Sequence, residues 1–226
     1  HSVTVSVVAS QAGDGYVEYG PASGGTTVTT ATRPFPVETG VEFVLDGLLQ
    51  NAPYTYRVFW RSGTDGTYAP TAAKTFRTAR PADVDFTFTI QADAHLDSNT
   101  SMPLYARTLA NALADAPDFH VDLGDTFMTD KYGATYTDAR PQYYAERYYF
   151  SLLCGSAPLF FIMGNHDGEI GYAADGTADS ISAWSAKLRL GLFPNPLPDA
   201  FYSGNPTPEP AVGLLQNWFA FTWGDV

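Results

Sequence analysis

Apolar and polar residues alternate with a period of two through much of the first 80 positions. Val3, Val5 and Val7 are separated by Thr4 and Ser6, and the stretch from Tyr54 to Trp60 repeats the alternation over seven residues. That period sends successive side chains to opposite faces of a strand. Gly13-Asp14-Gly15 turns the chain into Tyr16-Val17-Glu18-Tyr19, Gly20 to Gly25 reads as a loop, Thr26 to Thr32 as a β-prone edge, and Glu42 to Leu45 precedes a turn at Asp46-Gly47. Several short strands at this spacing predict an all-β sandwich over residues 1–80.

The pattern changes after the linker Arg80-Pro81-Ala82-Asp83. Val84 to Ile90 reads as a strand with Val84, Phe86, Phe88 and Ile90 on one face. Ser101 is placed to cap a helix with Pro103 in its first turn, Leu109 and Leu113 on one side, and a stop at Pro117. Phe119 to Leu123 is the next predicted strand. A second helix is predicted from near Pro141, with Tyr144, Tyr148 and Leu152 recurring every four residues, and Leu159 to Met163 is a third strand. Strand, helix, strand, helix, strand predicts an α/β layer over residues 81–226.

The polar residues fall at the ends of those three strands. Asp93-Ala94-His95 follows the first, Gly124-Asp125 the second, and Gly164-Asn165-His166-Asp167 the third. Singly each is a common turn sequence; an Asp after a strand often makes an Asx-turn. In order, at the ends of consecutive strands, they point to one crevice, because open α/β sheets bind ligands outside the carboxyl ends of their strands. The residue types suit metal-assisted phosphoryl displacement, in which two cations roughly 3.5 to 4 Å apart clamp the attacking and leaving oxygens and share a bridging carboxylate. Asp125 is the candidate bridge. Asp93 and His95, two apart, would leave the same side of an extended chain and reach one metal, and Asn165 offers an amide oxygen to the other. Oxygen and imidazole donors without thiolate suit Mn, Fe or Zn. Gly164 frees the backbone to turn, and Asp167 is an orienting or turn residue.

These three clusters resemble the first three motifs of the calcineurin-like metallophosphoesterases, over residues 84–226. The resemblance implies a β-sandwich flanked by helices, two metal ions, and hydrolysis of phosphate mono- or diesters by a metal-bridging hydroxide, with His166 off the metals as the proton donor. Upstream, Leu45-Asp46-Gly47-Leu48, Ala52 to Val58 and Lys74 to Ala79 resemble the fibronectin type III-like module that precedes many secreted phosphatases. The stretch Phe193 to Pro198, Phe201 to Asn205 and the ending Trp218 to Val226 resembles secreted bacterial members, with Asp225 a turn residue. Two positions depart from the purple acid phosphatase pattern: His95 stands where that subtype carries Gly, and Met128 where it carries Tyr, which disfavours an iron-tyrosinate centre. The family's second half also supplies further His ligands, including a Gly-His-x-His motif. The four histidines here are His1, His95, His120 and His166. His120, inside a strand, reads as a core or supporting group. The chain is therefore expected to be the N-terminal part of a longer enzyme, its partner in the site being the remainder of the same protein.

Charge narrows the partners. The net charge is -12, with six basic and six acidic residues in positions 1–80 and six basic and eighteen acidic beyond them. Such a surface repels nucleic acid, whose binding rests on phosphate neutralisation; it reads as a solvated acidic surface that aids solubility, as carboxylate ligands for cations, or as both, while the small phosphate-ester substrate is what the resemblance implies. No apolar run is long enough to span a bilayer. Cys154 is the single cysteine and reads as a small core residue. The N-terminus lacks a signal-peptide pattern, so the protein is expected to be either cytosolic or already freed of its signal; many Thr, Ser, Tyr, Gly and Pro with few Lys resemble secreted bacterial proteins and favour the second, an extracellular or periplasmic location. Arg107, Lys131, Arg140 and Arg147 read as helix-surface residues, and Phe127 and Tyr132 as lining a pocket or packing their loop. A second reading is an extracellular or surface binding protein with an inactive phosphatase-like domain; retention of Asp93, His95, Asp125, Asn165 and His166 together argues against it.

Overall fold

The computed structural model describes residues 1–63, 65–132, 135–169 and 174–226. Its first part contains β1 (Val3–Val8), β2 (Gly13–Pro21), β3 (Val28–Thr29), β4 (Arg33–Phe35), β5 (Gly40–Leu45), β6 (Pro53–Ser62), β7 (Ala69–Pro70) and β8 (Lys74–Arg77). β1 pairs antiparallel with β5. In the other sheet β2 and β6 run antiparallel along their length, with β3 and β4 on β2 and β7 and β8 on β6. The two sheets share one core because their period-two patterns agree: Val41, Phe43 and Leu45 of β5 meet Val17 and Tyr19 of β2 and Tyr54 and Val58 of β6.

The second part holds β9 (Phe88–Gln91), α1 (Met102–Ala114), β10 (Phe119–Asp122), α2 (Thr129–Tyr132), α3 (Tyr136–Cys154), β11 (Leu159–Phe161) and α4 (Ile181–Leu192). β9, β10 and β11 form a parallel sheet with β10 in the middle. Asp122 is paired with Gln91 on one side and with Phe161 on the other. All three strands thus stop in one row, and the residues that follow them leave the same edge of the sheet. Alternate side chains divide the two faces. Leu159 and Phe161 pack under α3 and α4 with Phe150, Trp184 and Leu188, while Phe119 and Phe160 meet Phe219, Phe221 and Trp223 on the opposite face. Phe160 stacks on Phe221 at 4.0 Å between ring centroids.

Several element limits differ from the pattern's prediction. β9 begins at Phe88, not Val84, because the Thr87 N–H is taken by the Asp118 carboxylate at 3.0 Å and Val84 closes a turn onto Pro81. β11 ends at Phe161, two residues before Met163. α3 starts at Tyr136, capped by Thr135, whose hydroxyl oxygen accepts from the Asp138 N–H, and Pro141 lies inside it. There it forgoes one helical bond, to the Thr137 carbonyl. The buried face of α3 is Ala139, Tyr143, Glu146, Phe150 and Leu153; Tyr148 is exposed. Tyr144 turns instead to the β-rich part, donating to the Glu38 carbonyl at 2.7 Å, beside an Arg140–Glu38 ion pair at 3.0 Å. Arg147 likewise donates to the Ser6 carbonyl and Tyr56 to the Gly155 carbonyl. Among the described residues no helix is long and apolar enough to cross a membrane.

His120 and Asp122 sit on the helix side of β10. Burial pulls the His120 imidazole down to about 4, against a bond with Thr89 Oγ1 at 2.8 Å. Between about pH 6.5 and 4 the unfolded chain therefore protonates His120 while the folded chain does not, so this residue's contribution to stability is lost as pH falls through that window. His120→Asn keeps a polar atom for Thr89. It is expected to gain roughly 2 kcal/mol on the wild type between pH 7.5 and 4.5, read from urea denaturation at each pH; an unchanged difference refutes the assignment.

Candidate metal centre

Past the edge of the sheet, the first two loops hydrogen-bond to each other. Asp93 N–H donates to the Gly124 carbonyl at 3.0 Å and His95 N–H to the Asp125 carbonyl at 3.1 Å. This pairing brings Asp93 and His95 to Asp125. The backbone is not extended there, contrary to the sequence reading: Asp93, His95 and Asp125 have φ of 59°, 46° and 55°. Left-handed conformations at three non-glycine residues mark two loops held by their surroundings. One ligand atom from each of the three lies within 4.8 Å of the others. His95 Nε2 is 3.4 Å from Asp93 Oδ1 and 3.8 Å from Asp125 Oδ2. That nitrogen is buried and has no hydrogen-bond partner among the described residues. Two carboxylates around this imidazole nitrogen are a donor set that could hold a cation.

The third loop closes over the second. After β11, Gly164 leads into a single 3-10 turn, Asn165–Asp167, which ends at Gly168 with φ of 84°. Gly124 and Gly164 lie back to back. A Cβ on Gly124 would fall 2.0 Å from the Gly164 nitrogen, and one on Gly164 2.3 Å from Asp125 Oδ1. The His166 N–H donates to Asp125 Oδ1 at 2.8 Å, and the His166 ring meets the His95 ring edge to face at 5.7 Å. His166 Nδ1 is 2.7 Å from Asp130 Oδ2, on α2. Asn165 is exposed at the start of the turn. Asp167 is fully buried, and its carboxylate accepts backbone N–H groups from both loops. Burial raises its pKa, and those bonds oppose the rise.

A buried polar chain supports the second loop from behind. Asp122 accepts from Gly124 N–H, Thr126 Oγ1 and Gln91 Nε2; Gln91 also donates to Tyr105, and Tyr105 to Glu146 at 2.6 Å. Burial pushes Asp122 up to about 6 and Glu146 well above the usual carboxylate range.

Neither a protein-family model nor a curated protein sequence matches the chain. Among solved structures, the purple acid phosphatase isolated from yellow lupin (Lupinus luteus) seeds superposes with a TM-score of 0.65 over 88% of this chain, at 16% identity. The fold is similar to that of a purple acid phosphatase. At that identity the likeness concerns the fold alone, and the chain covers 39% of the lupin protein. The mixed architecture, a sheet-rich part followed by helices around a parallel sheet, is thus shared with a metallophosphoesterase-like fold.

Of the residues singled out in the sequence, Asp93, His95 and Asp125 are brought together, and Asn165, His166 and Asp167 follow on the turn bonded to Asp125. Asp130 was missed, although it is the other carboxylate in the stretch between Asp125 and α3 and could have been found by asking what would hold His166. Asp122, Gln91, Tyr105 and Glu146 were missed because each sits in an otherwise apolar pattern. Phe127 packs its loop, stacked on Tyr143 at 3.8 Å; the Tyr132 side chain and residues 133–134 and 170–173 lie outside the described residues. Arg140 and Arg147 serve the contact with the β-rich part, and burial lowers Arg147 to about 10. Arg107 and Lys131 are exposed. Cys154, the last residue of α3, packs against the cluster of Tyr105, Leu109, Leu153 and Ala157, its thiol pushed up by burial. Met128 is fully buried.

Proposed function

We propose that the protein hydrolyses phosphate esters with metal ions held by Asp93, His95, Asp125 and Asn165, and with His166 as the general acid. One observation carries this reading: the convergence of two carboxylates on a buried imidazole nitrogen with no hydrogen-bond partner among the described residues, beside a second histidine whose backbone is bonded to one of those carboxylates. The purple acid phosphatase fold supports it. Bound cations would supply Lewis acidity toward a phosphoryl oxygen and make water a stronger nucleophile.

The chain's own residues do the rest. Asp125 Oδ1, by accepting from the His166 N–H, ties the proton donor to the ligand set. Asp130 occupies His166 Nδ1 and leaves Nε2 as the ring atom that exchanges a proton. From Nε2 the proton passes to the leaving oxygen as the bond to phosphorus breaks. The substrate is a small phosphate mono- or diester. Residues 1–80, as a fibronectin type III-like module, and an extracellular or periplasmic location belong to the same proposal; both rest on sequence.

Stripping metal from the full-length protein is expected to abolish hydrolysis of an aryl phosphate, and Mn, Fe or Zn to restore it, with two ions per chain by elemental analysis. Asp125→Asn is expected to lower bound metal and activity together. Undiminished hydrolysis by protein shown to be metal-free overturns the reading.

A further inference from the structure

The four consecutive amides of the second loop all point at carboxylates from within the chain. Gly124 N–H donates to Asp122 Oδ1 at 2.9 Å. The next three converge on one side chain: Asp125 N–H on Asp167 Oδ2 at 3.0 Å, and Thr126 and Phe127 N–H on Asp167 Oδ1, each at 2.9 Å. Asp167 Oδ2 also takes the Gly164 N–H at 2.8 Å. Successive backbone N–H groups arranged in this way form a concavity that binds anions. Here the anion belongs to the protein. Asp167 is fully buried, and its oxygens act only as acceptors, toward donors spread over two loops.

We propose that Asp167 is the positioning residue of the centre, an internal anion that fills the nest at residues 125–127 and locks the loop carrying Asp125 to the turn carrying Asn165 and His166. This rests on the metal-dependent reading above. The bonds come from residues that themselves bear the working groups: the Asp125 amide belongs to a ligand, and Gly164 is the residue before Asn165. Because the nest is filled, the loop amides are closed to a substrate phosphate, whose charge would be met by cations held at Asp93, His95 and Asp125. Packing alone would not require this chemistry, since an apolar side chain of the same size would leave four donor bonds in the two loops unmade. Asp122 supports the first amide and Asp167 the remaining three together with Gly164.

The test is chemical rescue in the full-length chain. Asp167→Ala removes the internal anion and leaves a space that formate can enter. Backbone amides of residues 125–127 and Gly164 are expected to lose protection from hydrogen exchange, and affinity for Mn or Zn by calorimetry to fall about 10- to 100-fold. Sodium formate at tens of millimolar should restore much of both, whereas sodium chloride at equal ionic strength should not. Leu109→Ala, in the α1 and α3 packing and outside the loops, serves as a destabilised control and should show no formate response. Unchanged exchange and metal affinity in folded Asp167→Ala overturn the proposal, as does a loss that formate and chloride affect equally. Should the alanine variant not fold, Asp167→Asn keeps one acceptor oxygen and is expected to expose some of the four amides more than others; uniform exchange across them overturns the proposal. Wild-type protein that binds no metal defeats the functional reading instead, while the exchange arm still decides the role of Asp167.

Discussion

Gly124→Ala is expected to destroy the centre and to destabilise the fold by roughly 3–5 kcal/mol. Two independent costs add. Gly124 has φ of 89°, a conformation that strains any residue with a Cβ. Its Cβ would also stand 2.0 Å from the Gly164 nitrogen and 2.7 Å from the Met163 carbonyl carbon. These are backbone atoms, so no side-chain rotation relieves the overlap, and the second and third loops must separate. Separation breaks the bond from His166 N–H to Asp125 and the bonds that Asp167 makes across the gap. Gly164→Ala isolates the local part of this effect, because its Cβ meets Asp125 Oδ1 at 2.3 Å and the Asp125 nitrogen at 2.4 Å. It is expected to cost metal binding ahead of stability. Calorimetric metal affinity and denaturant midpoints for the two variants check this, and wild-type metal affinity in either one refutes the geometry.

His166→Ala is expected to lower kcat for an alkyl phosphate about 10²- to 10⁴-fold while metal content stays at the wild-type level. Its side chain is not among the converging ligand atoms of Asp93, His95 and Asp125; what it contributes to that cluster is a backbone N–H, which alanine retains. The loss should shrink for a p-nitrophenyl ester, whose leaving oxygen departs without a proton. Asp130→Asn should give a smaller loss, about tenfold, since it removes the group that holds Nδ1 and leaves the ring in place. Equal losses for good and poor leaving groups would remove His166 from the role of proton donor.

The alternation of residues 1–80 and the strand-helix order of residues 81–226 made the architecture legible, because both depend on periodicities that side-chain burial imposes locally. Limits were less legible. Pro141 reads as a helix start, yet α3 begins five residues earlier at Tyr136, since the cap at Thr135 and the packing of Ala139 and Tyr143 outweigh one lost backbone bond. The helix's buried stripe was misjudged for a related reason: Tyr144 and Tyr148 look apolar in sequence, but their hydroxyls suit them to an edge, and Tyr144 uses its own to reach Glu38. The buried chain from Glu146 to Asp122 was invisible because a polar residue in an apolar run carries no sign of its partner.

The residue types that follow the three strands are written in the order of the chain, and with them the chemistry it can attempt. The tertiary structure decided how those residues meet. The common stopping row of β9, β10 and β11 comes from the pairing of Asp122 with Gln91 and Phe161, which no local pattern encodes. Left-handed backbone at Asp93, His95 and Asp125 replaced the extended geometry that their spacing implied, because bonds between loops outweigh the intrinsic preference of single residues. Asp167, in sequence one more turn residue, became the buried acceptor for two loops only when the chain folded 42 residues back on itself to place it beneath Asp125.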